Sequence, residues 1–194
     1  MKRGVLFALV SAALLLSGAV PAVHAGGKKE ATPNPPVTIV LAAAASLEKT
    51  FEEGLIPRFR ADYPWVSVQG VYDSSGRLQT QIEQGLEADI FMSAATRQME
   101  ALTEQGLVAA DTVVPLLQNR LVLIKPAGTS TAVTGFGNIT LARIIALGDP
   151  ATTPAGQYAR EAFINLGNWD AVSAKLSLGN NVTEVLNWVA GAGA

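Results

Sequence analysis

Apolar positions along the chain switch between two periods, one suited to strands and one to helices. Val37–Leu41 (VTIVL) is a β-branched apolar run that predicts a buried strand. Leu47–Tyr63 follows with apolar residues at 47, 51, 55, 56 and 59, a helical spacing in which Pro57 predicts a kink. Trp65–Tyr72 alternates and predicts a strand, Leu78–Gln84 a short helix, Ala88–Met92 a strand and Arg97–Gln105 a helix stopped by Gly106. Arg120–Lys125 (RLVLIK) predicts a further strand, closed by Pro126 and Gly128. A helical turn around Ile139–Ala142, a strand at Arg143–Leu147 and helices at Gly156–Leu166 and Trp169–Lys175 come next. A short strand at Leu176–Leu178 and an amphipathic helix from Thr183 complete the pattern.

Strands that alternate with helices predict an α/β fold with mainly parallel sheets flanked by helices. The quiet stretch Lys125–Gly137 (KPAGTSTAVTGFG) suits a break between two lobes, expected at residues 37–118 and 119–194. Val185–Ala194 (VLNWVAGAGA) stops without a charged or capped finish, where an open α/β sheet would add another strand. The second lobe is therefore expected to be incomplete.

The start of the chain has a different pattern. Met1-Lys2-Arg3 is basic, Val5–Leu16 is apolar except for Ser11, and Val23-His24-Ala25 places small residues at both specificity positions of a cleavage site. Residues 1–25 are expected to be a cleaved export signal and residues 26–36 (GGKKEATPNPP) a flexible tether. The uncharged run Gly4–Gly27 is long enough to span a bilayer, but Ser17, Gly18, Pro21 and His24 weaken its second half.

Composition then narrows the chemistry. The 194 residues carry 14 Lys+Arg and 16 Asp+Glu, a formal net charge of −2, which does not suit a nucleic-acid-binding surface. With no cysteine there is no disulfide, thiolate zinc site or thiol nucleophile, and no residue to carry the lipid of a lipoprotein. The one histidine, His24, would leave with the signal. A Ser-His-Asp triad and an imidazole zinc site therefore cannot be built.

Ligands of open α/β sheets sit at the carboxyl ends of strands, against helix N-termini. Four strand-to-helix junctions can be read: Ala42–Ser46 (AAAAS), Asp73–Gly76 (DSSG), Gly148–Gly156 (GDPATTPAG) and Gly179–Thr183 (GNNVT). Taken singly, each suits ordinary N-capping by Ser, Thr or Asn. Together they offer unpaired backbone N–H groups, hydroxyls and helix dipoles with very little charge, the donor set for a desolvated oxyanion. Arg77 admits two readings, a positive potential at the Ser75 junction or a surface cation. Ser46-Leu47-Glu48-Lys49 also has the S-x-x-K spacing of serine–lysine acyl-transfer enzymes, with no K-T-G or S-D-N companion. Glu52 and Glu53 read as solvated surface.

Five stretches resemble the periplasmic molybdate-binding proteins of ABC importers: Val40–Leu47 (VLAAAASL), Tyr72–Leu78 (YDSSGRL), Ala88–Ala94 (ADIFMSA), Gly148–Phe163 (GDPATTPAGQYAREAF) and, less specifically, Asn181–Leu186 (NVTEVL). The resemblance runs from about Val37 onward and implies a two-lobed, type II periplasmic-binding-protein fold and no catalysis. Its ligand would be molybdate or tungstate and its partners the membrane permease subunits of an importer. It implies a periplasmic monomer that uses no cofactor. Carried over position by position, the oxyanion donors are the hydroxyl and amide of Ser46, the hydroxyl and amide of Ser75, and the amides of Ala155 and Val182. A tyrosine donor in a V-Y segment would fall beyond Ala194, as would the return crossing of the hinge. A receptor of the same fold for sulfate or another oxyanion, and a Ser46/Lys49 acyl-transfer enzyme, are the competing readings.

Overall fold

The computed structural model describes residues 34–191. The expected export signal at 1–25, the tether up to residue 33 and residues 192–194 lie outside the described residues.

The first sheet is built on strand β1 (Val37–Ala44), which runs between β2 (Val66–Asp73) and β3 (Ile90–Met92), all parallel. A central parallel strand is covered on both faces, so its second half, Leu41–Ala44, is fully buried and uniformly apolar. β1 extends three residues past the expected end at Leu41. Ala42 and Ala43 are held there by ladder pairing on both sides, Ala42 with Val71 and Phe91, Ala43 with Tyr72 and Met92. At the start of the third strand, Asp89 clamps the sheet: its carboxylate accepts from the Val40 amide at 2.8 Å, while its own amide donates to the Val40 carbonyl at 3.0 Å.

A tight 3-10 turn (Ala45–Leu47) leads from β1 into α1 (Glu48–Thr50), a π-turn (Phe51–Leu55) and α2 (Ile56–Asp62). Pro57 was expected to kink this helix. Instead, the turn before it widens: the Ile56 amide reaches back five residues to the Phe51 carbonyl. Proline has no N–H to offer the preceding turn, and the wider turn accommodates that loss. Helices α3 (Ser75–Glu83) and α4 (Thr96–Glu104) follow β2 and β3 and anchor on the wholly buried Leu78 and Leu102.

The second sheet pairs β4 (Ile145–Gly148) with β5 (Leu176–Gly179) in parallel, Ile145 opposite Leu176 and Gly148 opposite Gly179. Around it lie a 3-10 segment (Phe136–Leu141), α5 (Pro154–Asn165), α6 (Trp169–Ser173) and α7 (Val182–Ala190). Its core is Ile139, Ile145, Ala159, Phe163 and Val172, with Phe136 against Phe163 at 5.9 Å between ring centroids.

One expected strand does not form. Arg120–Lys125 is not part of either sheet; Leu121 packs onto the second core while Val122 is 73% exposed. An apolar, β-branched run makes a strand only when a neighbouring strand supplies the ladder, and none does so among the described residues. No helix of the described residues is long and apolar enough to cross a membrane.

Candidate functional site

All four junctions named from the sequence lie at the carboxyl ends of β1, β2, β4 and β5. Ser46 is the middle residue of the 3-10 turn after β1 and is exposed. Ser75 is the first residue of α3 and is wholly buried. This helix begins three residues earlier than its apolar period predicts, which brings Ser75 into the first turn. Ala155 is the second residue of α5 and Val182 the first of α7, both half-buried.

The junctions are tied together by hydrogen bonds. The Gly76 amide donates to the Thr152 carbonyl at 2.9 Å, joining α3 to the loop before α5. Thr153, itself buried, donates its hydroxyl to the Asn180 carbonyl at 3.2 Å, and the Asp149 amide donates to the Gly179 carbonyl at 2.9 Å. These two bonds join the loops that precede α5 and α7. The Thr183 hydroxyl makes a longer contact, 3.5 Å, with the Ala45 carbonyl beside Ser46. The Ser75, Ala155 and Val182 junctions thus meet through direct bonds, and the Ser46 junction joins them by the longest one.

Capping decides what these helix ends can offer. Among the described α-helices, only at α7 does the N-cap side chain serve the helix, with Asn181 Oδ1 accepting from the Glu184 amide at 3.0 Å. At α3 and α5 the N-cap residues, Ser74 and Thr153, make no side-chain cap bond. Among the described residues, the amides of Ser75, Ala155 and Val182 donate to no protein acceptor. This is the state in which a helix N-terminus presents its dipole and free N–H groups to an anion. The Ser75 hydroxyl oxygen accepts from the Ala94 amide at 2.9 Å. With that lone pair occupied, its proton is free to donate elsewhere.

The close approach of backbones around the site requires glycine. A Cβ on Gly76 would stand 2.5 Å from the Thr152 carbonyl oxygen, and one on Gly156 would stand 2.0 Å from the Gly148 carbonyl oxygen. Neither glycine needs a positive φ; what each needs is the missing side chain.

Nearby carboxylates are occupied by backbone donors. Asp73 accepts from the Ser74 amide at 2.7 Å, Asp149 from the Ala151 amide at 2.8 Å and Glu184 from the Asn180 amide at 2.6 Å. Arg77, left open above, extends from α3 to donate to Asn180 Oδ1 and lies 3.9 Å from the Asp73 carboxylate. Glu52 is not merely solvated: it accepts from the Tyr72 hydroxyl at 2.9 Å. Burial, with that bond and the charges of Glu52 and Glu48, pushes the Tyr72 phenol well above its ordinary pKa.

Beside the Ser46 and Val182 junctions, an open cleft of about 380 Å³ is walled by Ala45, Glu48, Tyr72, Thr183, Glu184 and Trp188. It includes none of the four predicted donors, and its two carboxylates would repel an anion. Among the described residues no group of three His, Cys, Asp or Glu could hold a metal ion. Lys49 of the S-x-x-K spacing has an 83% exposed side chain paired at 4.0 Å with Glu53 one turn on, the position of a solvated surface lysine.

Nothing in the periodicity or in the junction motifs marks Gly76, Thr153, Arg77 and Asn180 as bridging residues. The only local signal was a glycine in a helix's first turn, where no turn geometry calls for one.

A family model for bacterial extracellular solute-binding proteins matches residues 39–194. Over 188 residues the chain is 34% identical to YvgL of Bacillus subtilis, provisionally named an ABC transporter substrate-binding lipoprotein, covering 97% of this chain and 70% of that protein. It is 33% identical to the molybdate-binding protein ModA of Haemophilus influenzae over 182 residues, 91% of this chain and 67% of ModA. The substrate-binding domain of a provisionally assigned molybdenum ABC transporter from Clostridium difficile superposes with a TM-score of 0.56 at 37% identity, over 81% of this chain and 69% of that one. These relatives are transport receptors rather than enzymes. With its parallel α/β architecture and junctions of free helix-end amides, the chain belongs to the bacterial extracellular solute-binding proteins.

Proposed function

We propose that this protein captures molybdate, or tungstate, outside the cytoplasm and presents it to the membrane subunits of an ABC importer. The observation that carries the reading is the meeting of uncapped helix N-termini at the Gly76–Thr152 bond, beside the buried Ser75 hydroxyl. The relatives add the ligand: ModA of Haemophilus influenzae is named for molybdate. In this reading the donors are the hydroxyls and amides of Ser46 and Ser75 and the amides of Ala155 and Val182. Residues 37–118 and 119–194 act as two lobes that close on the ion, and the closed monomer is the form the permease recognises.

A dianion that carries no proton at neutral pH asks only for donors. Backbone amides can only donate, and the Ser75 hydroxyl oxygen already accepts from the Ala94 amide, so this donor set disfavours an ion that must also donate. Sulfate has the same charge and shape, so discrimination falls to cavity size. Calorimetric titration with molybdate, tungstate and sulfate tests this: tight binding of the first two and weak binding of sulfate is expected. Equal affinity for sulfate would overturn the size argument.

Delivery outside the cytoplasm rests on residues 1–25 acting as a cleaved signal. YvgL is named a lipoprotein, but these 194 residues contain no cysteine to carry a lipid. The mass of the exported protein should correspond to cleavage after Ala25; an N-terminus retaining Met1 would overturn it.

A further inference from the structure

The two sheets are also joined by side chains other than the four predicted donors. Arg77, in the first turn of α3 and two residues from Ser75, donates to Asn180 Oδ1, 103 residues away and two before Val182. On another part of the same seam, Gln98 of α4 donates its amide to Gln157 Oε1 of α5 at 3.3 Å, a separation of 59 residues. Both glutamines are buried, 3% and 8% exposed. Among the described residues Gln98 Oε1 has no hydrogen-bond partner, so this pair is only half satisfied where it is buried.

We propose that the Arg77–Asn180 and Gln98–Gln157 pairs form a polar clasp between the two sheet-bearing halves and set how fast the closed receptor releases its ion. The proposal rests on the receptor reading above. All four residues are positioning residues and none touches the ion. Their chemistry is split in a way that gives different signatures. Arg77 is half exposed and is tied back by Asp73 at 3.9 Å, so its bond to Asn180 is a rim contact in which water competes. The glutamine pair is out of water, where losing one partner strands the amide of the other. When the halves part, all of these groups return to water, so their contribution falls on the closed state alone. A contact present only in the closed state lowers the dissociation rate and leaves the encounter rate nearly unchanged.

The test is stopped-flow association and dissociation of sodium molybdate from the purified protein and its variants. R77A and N180A should each raise the dissociation rate about two- to fivefold, with association changed less than twofold. The double variant should match the singles, because one bond is being removed. R77K should recover part of the loss, because a lysine ammonium keeps a donor on that side chain. Q98A should raise the dissociation rate at least about fivefold, since it strands the buried Gln157. Arg77 and Asn180 lie at the surface, so their variants should unfold at the parent's temperature and remain interpretable even if Q98A folds poorly. Parent-like dissociation rates in R77A and N180A, with molybdate bound normally, would overturn the clasp. Failure of the parent itself to bind molybdate would overturn the receptor reading instead.

Discussion

Replacing Gly76 by alanine separates the stability of a helix from the closing of the site. The added Cβ would lie 2.5 Å from the Thr152 carbonyl oxygen and 2.8 Å from the Thr152 Cα. Both neighbours are backbone, so no side chain can rotate out of the way. To reach ordinary contact near 3.4 Å, the two segments must part by about 0.9 Å. That movement stretches the 2.9 Å bond from the Gly76 amide to the Thr152 carbonyl beyond hydrogen-bonding range. An amide left without its acceptor at a closing interface costs about 1–3 kcal/mol. Taking the lower half of that range, molybdate affinity should fall roughly five- to thirtyfold. The same change favours α3 itself, because alanine is the better helix former by up to ~1 kcal/mol. Calorimetric titration should therefore show weaker binding while the ligand-free protein unfolds no earlier than its parent. Parent-like affinity in G76A would refute the claim that closure brings α3 against Thr152. A large fall in ligand-free unfolding temperature would show instead that the contact supports the fold.

Other outcomes follow from the same geometry. Ser75→Ala removes both the acceptor of the Ala94 amide and the proposed anion donor, and should weaken molybdate binding by about 1–3 kcal/mol in the same titration. Gly156→Ala places a Cβ 2.0 Å from the Gly148 carbonyl oxygen inside one half, so urea unfolding should register a loss of about 1–3 kcal/mol without ligand. The Tyr72 phenol, raised by burial and by its bond to Glu52, binds its proton more tightly folded than unfolded. Its contribution to stability is therefore complete below the ordinary tyrosine pKa near 10 and declines as pH rises above it. Unfolding midpoints measured from pH 8 to 11 should fall more steeply at the alkaline end in the parent than in Tyr72→Phe; identical slopes would exclude Tyr72 as the cause.

The alternation of elements was legible in the sequence because it is written in short-range periods. Val37–Leu41, the helix at Arg97–Gln105 and the strand at Leu176–Leu178 all form within a few residues of their expected places. The absence of cysteine and the uncharged character of the four junctions were also plain, and they led to an oxyanion as the expected ligand class. Three outcomes were decided only by tertiary structure. β1 continues through Ala42–Ala44 although alanine has little strand preference, because ladder partners hold Ala42 and Ala43 on both sides and Ala44 on one. Arg120–Lys125 has a strand's pattern yet joins no sheet, because the pattern cannot supply a neighbour. The bridges Gly76–Thr152, Arg77–Asn180 and Gln98–Gln157 join residues far apart in the chain, where periodicity carries no information. Local spacing determines which way a segment's side chains point. Which segment it meets depends on the packing of the whole chain, and the junctions become a site only through that packing.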